Sequence, residues 1–144
     1  MHTCFLIPGK PQGKERPRSN SQTGTIYTPR NTKNYEQVVR ICYINAYPSV
    51  RDRLHEGPVV VEINAYYPIP SRWSKKQRLK ALAGVIQPEV KPDWDNVGKI
   101  VCDALNGLAW RDDAQIVGAQ VWKRYAEKGH VVVSIESGGA IGNG

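Results

Sequence analysis

Residues that build disulfide or zinc scaffolds are scarce in this chain. Its 144 residues contain three cysteines and three histidines, and no two cysteines form a CxxC pair. Cys4, Cys42 and Cys102 are too few and too scattered for a disulfide framework, and the His and Cys residues lack zinc-ligand spacing. We therefore expect reduced thiols and ordinary histidines.

Long apolar runs are also missing. No stretch approaches the ~20 apolar residues that span a bilayer, so we expect a cytoplasmic protein with no membrane partner. The start, MHTCFLIPGK, has no cleavage-site pattern and is expected to form a first strand rather than a signal peptide. The length suits a single compact domain over residues 1–136, followed by a glycine-rich, disordered tail at 137–144.

Charge is unevenly distributed along the sequence. The formal net charge is +7, with basic residues in excess in 1–40 and 71–91, whereas 92–113 contains five aspartates and two basic residues. A basic surface attracts phosphates, and an acidic island can bind cations that let phosphates approach carboxylates. This distribution is typical of a nuclease, although a net charge of this size can also serve solubility alone.

Hydrophobic periodicity predicts both strands and helices. The predicted order is strand 3–8, loop 9–33, helix 34–47, strand 58–67, helix 75–83, helix 96–106, and strands 115–125 and 130–136, which are expected to form a hairpin around Lys128-Gly129. Ser74 and Gln77 predict a capping box at the start of helix 75–83. The order predicts an α/β (α+β) fold in which helices pack on one face of a small mixed sheet.

The most informative segment is KPDWDNVGKIVCDALNGLAWRDDAQIV, at residues 91–117. If Asp93 and Asp95 lie on an extended segment, both carboxylates point to one side and can reach one cation. Lys99 follows Asp95 by one helical turn, and Asp112-Asp113 return after a turn. Carboxylates that converge from two segments would form an oxygen-rich site for Mg²⁺, with Mn²⁺ able to substitute.

Each of these features also has a purely structural interpretation. A lone Asp-x-Asp is often a turn or a helix cap, and a helical lysine is often only a solvated charge. Asp103 lies four residues after Lys99 and is expected to be its ion-pair partner on the helix. Trp94 and Trp110 could stack on bases, but we favour core packing for both.

Together the motifs PDWDN…K…DAL…DDAQIV resemble the RusA family of Holliday junction resolvases. The likeness extends to PGKPQGKERPR…YTP, to PIPSRWSKKQR and to the closing strands, and it covers roughly residues 3–136. The resemblance implies a bacterial or phage-encoded homodimer that binds four-way DNA junctions. Such a crossover junction endodeoxyribonuclease makes paired symmetric nicks with Mg²⁺, and metal-activated water attacks the phosphodiester.

The resemblance also implies roles for single residues. Asp93, Asp95 and Asp113 would bind the metal, and Lys99 would be essential for catalysis. The spacing before the second acidic pair differs by about one residue among relatives, so Asp112 is an alternative ligand in place of Asp113.

DNA contacts are expected from basic residues around this site. Some relatives have a basic residue where this chain has Pro92, so a phosphate contact made there would shift to Lys91. The basic loop Lys10–Arg18 and the helix 75–83 would supply further cations to the phosphate backbone, and the alternative is a solvated charged face. The candidate DNA-binding residues are Lys14, Arg16, Arg18, Lys75, Lys76, Lys91, Asn96 and Lys99.

Two rival functions stay open at this point. A non-catalytic branched-DNA-binding module of the same fold would bind junctions without cutting them, and an assay with and without Mg²⁺ separates it from the enzyme. A phosphotransferase with an aspartyl nucleophile would need further motifs that the sequence lacks.

Overall fold

A computed structural model describes residues 1–49 and 53–138 of the chain. Within these ranges the predicted alternation of strands and helices is confirmed. The elements are β1 (His2–Pro8), β2 (Arg18–Ser19), β3 (Ile26–Tyr27), α1 (Arg30–Ala46), β4 (Val59–Pro68), α2 (Lys75–Leu82), α3 (Trp94–Leu105), β5 (Ile116–Ala126) and β6 (His130–Ser137). Most of the predicted tail lies outside the described residues, but Ser137 is the buried last residue of β6.

The main sheet has four strands in the order β1-β6-β4-β5. The β1–β6 and β6–β4 pairs are antiparallel and the β4–β5 pair is parallel, so the predicted mixed sheet is confirmed. The predicted hairpin of the last two strands is wrong, because β4 lies between them. Tyr66 of β4 pairs with His130 on one side and with Arg124 on the other. Residues 127–129 therefore cross the end of β4, although their short length and Gly129 suggest a simple turn.

The core lies between one face of this sheet and the helices α1 and α3. Strict alternation in β4 buries Val59, Val61, Ile63 and every second residue onward, because successive side chains of a strand point to opposite faces. Helix α3 presents its apolar stripe to the same layer, through Val97, Ile100, Val101, Ala104 and Leu105. Each fully buried aliphatic side chain of this kind stabilises the fold by about 1.5–3 kcal/mol, which fixes α3 firmly against the sheet.

Local signals determine where the helices begin. The predicted capping box of α2 is confirmed, since the Ser74 side chain accepts from Gln77 N–H and the Gln77 side chain accepts from Ser74 N–H. Helix α1 begins four residues earlier than predicted, at Arg30, because its first turn is polar and gives no hydrophobic periodicity. The predicted loop 9–33 also contains the two-stranded β2–β3 pair. Among the helices in the described ranges, none is long and apolar enough to cross a membrane.

Candidate active site

The N-terminus of α3 holds the first two aspartates of the acidic segment. Asp93 is the N-cap residue with extended backbone (φ −68°, ψ 154°), and Asp95 lies in the first helical turn. The expectation that both lie on one extended segment is therefore wrong. Both carboxylates instead lie at the positive end of the helix dipole, which favours anions.

The carboxylate of Asp93 is free of the capping role that its position would allow. It makes no hydrogen bond to the helix backbone; instead the Lys91 ammonium lies 3.0 Å from its Oδ2 atom. The Asp93 side chain is 47% exposed and that of Lys91 is 84% exposed. An exposed ammonium is easily displaced, so Asp93 can exchange this partner for another cation.

One side of α3 connects the first aspartates to the later acidic pair. Asp95, Lys99 and Cys102 are spaced four and three residues apart, so they share one stripe of the helix. Burial, together with the charges of Asp113 and Asp103, raises the pKa of the Cys102 thiol to about 12. The Asp113 carboxylate is therefore close enough to Cys102 for its charge to act on the thiol.

The turn after α3 gives Asp112 and Asp113 different surroundings. The fully buried Trp110 donates its indole N–H to Asp113 Oδ1 at 2.8 Å, and core packing is thus confirmed for this tryptophan. Asp112 caps the short 3₁₀ turn at Asp113–Gln115, because its Oδ2 accepts from Ala114 N–H at 3.1 Å. Asp112 is thus occupied by capping, whereas Asp113 accepts from the Trp110 side chain.

Gln115 holds this turn in place, a role that the sequence analysis missed. Its Oε1 accepts from the backbone N–H groups of Arg111 (2.9 Å) and Asp112 (3.2 Å). Its Nε2 donates to the carbonyls of His55 (3.1 Å) and Gly57 (3.0 Å). An aspartate followed three residues later by glutamine is a capping-box spacing, so the signal was present in DDAQ.

Asp103 pairs with a residue far away in the sequence. Lys14 Nζ lies 2.8 Å from Glu36 Oε1 and 3.1 Å from Asp103 Oδ2. Among the ion pairs in the described residues Asp103 is joined to Lys14, so the expected pairing with Lys99 is wrong. Burial alone would lower the pKa of Lys14, but the hydrogen bonds that its ammonium donates to both carboxylates, together with their charges, outweigh burial and raise it. The contact of Lys14 with DNA stays a prediction, and its ammonium is already occupied within the fold.

The loop before β2 lies directly on the N-terminus of α3. Lys14 N–H donates to the carbonyl of Asn96 at 3.0 Å. A Cβ atom added at Gly13 would lie 2.8 Å from Cβ of Pro92 and 3.2 Å from Cβ of Asn96. Only glycine allows this approach, which brings the basic loop beside the aspartates.

The remaining basic candidates are mostly exposed. Lys75 and Lys76 are exposed on α2. Arg16, Lys91 and Lys99 are exposed as well. Arg18 is also exposed and lies 3.4 Å from a carboxylate oxygen of Glu15. All of them are accessible to a phosphate backbone.

Trp94 is exposed at the N-terminal end of α3. It is the first residue of the helix and is 63% exposed. The expectation of core packing is therefore wrong for this tryptophan, in contrast to Trp110.

The three candidate aspartate ligands do not form a preorganised metal site. Within 1–49 and 53–138, no group of three or more His, Cys, Asp or Glu side chains has a geometry that could hold a metal ion. The convergence expected of Asp93, Asp95 and Asp113 is thus not reached in this structure. Their donor chemistry nevertheless fits a hard divalent cation, since carboxylate oxygens are the ligands that Mg²⁺ prefers and Asp93 is uncapped.

Sequence comparison identifies the class of protein to which this fold and site belong. Residues 8–136 match the model of a family described as endodeoxyribonuclease RusA. The chain therefore belongs to the RusA family of DNA endonucleases. It is also 36% identical over 135 residues to the uncharacterized protein YqaN of Bacillus subtilis (strain 168), a similarity that covers 91% of this chain and 93% of that protein.

Proposed function

We propose that the protein is a Holliday junction resolvase that hydrolyses DNA with Mg²⁺ or Mn²⁺. The observation that supports the proposal is the position of Asp113, which accepts a hydrogen bond from the buried Trp110. Its charge acts on Cys102, and Cys102 shares a helical stripe with Asp95 and Lys99. Membership of the endonuclease family over residues 8–136 supports the same assignment.

The proposed ligands are Asp93, Asp95 and Asp113, whereas Asp112 keeps its capping role. When bound, a divalent cation supplies Lewis-acid polarisation of the phosphate and offsets the repulsion among the carboxylates. Lys99 would bind a non-bridging oxygen of the scissile phosphate, because its exposed ammonium is a compact positive charge one turn from Asp95. Lys91 would then leave Asp93 and contact an adjacent phosphate.

The wider DNA path would follow the exposed cations of the loop before β2 and of α2. Arg16 and Arg18 from the loop and Lys75 and Lys76 from α2 would contact the phosphate backbone, and these contacts carry no sequence information. Asn96 would hydrogen-bond DNA through its side chain, since its carbonyl already accepts from Lys14. The enzyme would act where such junctions arise, in the bacterial cytoplasm.

Two symmetric nicks across one junction call for two symmetric sites. We therefore propose a homodimer with twofold symmetry. Light scattering on the purified protein, with and without a four-way junction, measures the number of subunits. A monomer in both states would contradict this part of the proposal.

The test compares cleavage of a synthetic four-way junction with a linear duplex of the same sequence over a Mg²⁺ titration. We expect paired nicks in the junction, which Asp93→Asn and Asp113→Asn abolish while junction binding in EDTA is preserved. Asp112→Asn is the matched control, because asparagine caps a helical turn as well as aspartate does. It is expected to keep cleavage near the wild-type rate.

Two outcomes would overturn the assignment. Junction binding without cleavage at any metal concentration would indicate a non-catalytic DNA-binding module. Loss of cleavage in Asp112→Asn but not in Asp113→Asn would exchange the two roles and contradict the ligand set proposed above.

A further inference from the structure

A cavity adjoins the α3 site on the side of residues 91 and 92. It has a volume of about 240 Å³ and is walled by the rings of Trp73, Tyr67, Tyr125, Pro11 and Pro92. Trp73 and Tyr125 meet edge to face, with ring centroids 5.3 Å apart. An apolar cavity of about 150 Å³ is large enough for benzene, so this one has room for a larger flat ring.

The rim of the cavity is positively charged. Lys10, Arg72 and Lys91 contribute to its lining and are all exposed, and no acidic side chain is among the lining residues in the described part of the chain. Aromatic walls favour a planar apolar group, and a cationic rim favours an anion. A ligand that satisfies both is a nucleotide, with its base inside and its phosphate at the rim.

The cavity and the α3 site share a wall. Lys91 lines the cavity and contacts Asp93 at 3.0 Å, and the Tyr67 hydroxyl donates to the Pro92 carbonyl at 2.5 Å. Lys123 Nζ lies 5.0 Å from the centroid of the Tyr67 ring and donates to the Val90 carbonyl at 2.6 Å. These contacts hold the wall between cavity and aspartates, so a ligand in the cavity lies next to a phosphate at α3.

We propose that this cavity binds one unpaired nucleobase of the DNA strand whose phosphate lies at the α3 site. The base stacks on Trp73, and Lys10, Arg72 and Lys91 bind the phosphates on either side of it. This inference rests on the proposed function, because it assumes that DNA occupies the α3 site. It adds a contact to the base, whereas the cations described above contact only phosphates.

The experiment measures how strongly binding depends on the base itself. Wild-type protein in EDTA is titrated with four-way junctions that carry one unpaired nucleotide, and with matched junctions in which that nucleotide is abasic. The unpaired or abasic nucleotide is placed at each position in turn across the exchange point of the junction. At one position we expect the base to tighten binding by roughly 5- to 150-fold, the range for stacking of one base on an aromatic side chain.

Variants locate that dependence in the cavity. Trp73→Leu keeps apolar bulk without an aromatic face and should bring the base-to-abasic ratio of Kd values close to one, whereas Trp73→Phe should retain part of the preference. Trp122→Leu is the matched control, because Trp122 is 50% exposed on β5 and does not line the cavity. The ratio is taken within each variant, so a general loss of affinity or stability cancels.

The proposal is overturned if wild-type protein shows no base preference at any position, or if Trp73→Leu retains it. Cleavage of junctions without a base preference would leave the proposed nuclease intact and remove only the cavity site. A preference that depends on Trp73 in a protein that never cleaves would support the cavity and contradict the nuclease.

Discussion

The side chain of Gln115 holds the turn that carries Asp113, a proposed metal ligand. Gln115 connects the turn to the backbone of residues 55–57 through four hydrogen bonds, and the turn carries Asp113. A carboxylate that must meet a cation and a phosphate tolerates little displacement, since an error of about 1 Å can cost on the order of 100-fold in rate. Gln115 is therefore a positioning residue for Asp113.

We predict that Gln115→Leu lowers kcat for junction cleavage by up to about 100-fold and leaves the Kd for the junction unchanged. The free energy of unfolding should fall by about 2 kcal/mol, because backbone groups lose their partners. Single-turnover kinetics, binding titrations and urea unfolding measure the three quantities. Gln120→Leu, at an exposed position on β5, is the control; equal kinetic effects in both variants would remove the positioning role.

Residue chemistry was also where sequence reasoning was least complete. The core position of Trp110 was predicted correctly, but Trp94 was also assigned to the core and is exposed. The pairing of Asp103 with Lys14 joins positions far apart in the chain. A helix pattern alone predicts local partners, and it gives no information on which loop lies above the helix.

At the scale of elements, the site depends on the loop that lies on α3. Gly13 allows the loop to touch Pro92 and Asn96, and Lys14 then joins α1 to α3 through Glu36 and Asp103. The close approach at Gly13 thus places the ion pairs that join α1 to α3 next to the aspartates at the start of α3.

We predict that Gly13→Ala destabilises the protein by about 1–3 kcal/mol, as overpacking of a close contact does. The displaced loop should also weaken junction binding, because Arg16 and Arg18 move with it. Thermal unfolding and junction titration measure these effects, and Gln12→Ala at the neighbouring position is the control. Unchanged stability in Gly13→Ala would show that the loop can lift from α3 at no cost.

Elements with strong local signals were predictable from the sequence. The stripe of α3 and the capping box of α2 lie within a few residues, so periodicity and spacing identify them. The strand order was not predictable in this way. Residues 127–129 form a short link typical of a hairpin. In the sheet, however, the apolar strand β4 lies between β5 and β6, where its alternate side chains are buried in the core.

For the whole molecule, His55 makes stability depend on pH. The buried ring lies 2.9 Å from Thr3 Oγ1 through Nε2 and 2.5 Å from Ser137 Oγ through Nδ1, and it thereby joins β1 and β6 to the segment before β4. Burial, assisted by the charges of the N-terminus and His2, lowers the pKa of His55 from 6.5 to about 4. The folded state therefore favours the neutral ring.

We predict that this contribution to stability is complete above pH 6.5 and is lost as the pH falls toward 4. In that range His55 is protonated in the unfolded chain but stays neutral in the folded protein. The loss reaches about 3 kcal/mol at pH 4, from the shift in pKa. Urea unfolding from pH 7 to pH 4 measures it against His55→Gln, whose curve should be flatter. Parallel curves for the two proteins would contradict the prediction.

The strand order determines when the sheet can be completed during synthesis. Strand β6 is the partner that connects β1 to β4, and β5 pairs in parallel with β4 only after the intervening helices have been made. Pairings between distant segments form late, since the chain must first close long loops. A nascent chain on the ribosome therefore carries all four catalytic candidates before it has a sheet to hold them. We therefore expect an unfinished chain to have no nuclease activity until β6 has been made and has paired with both β1 and β4.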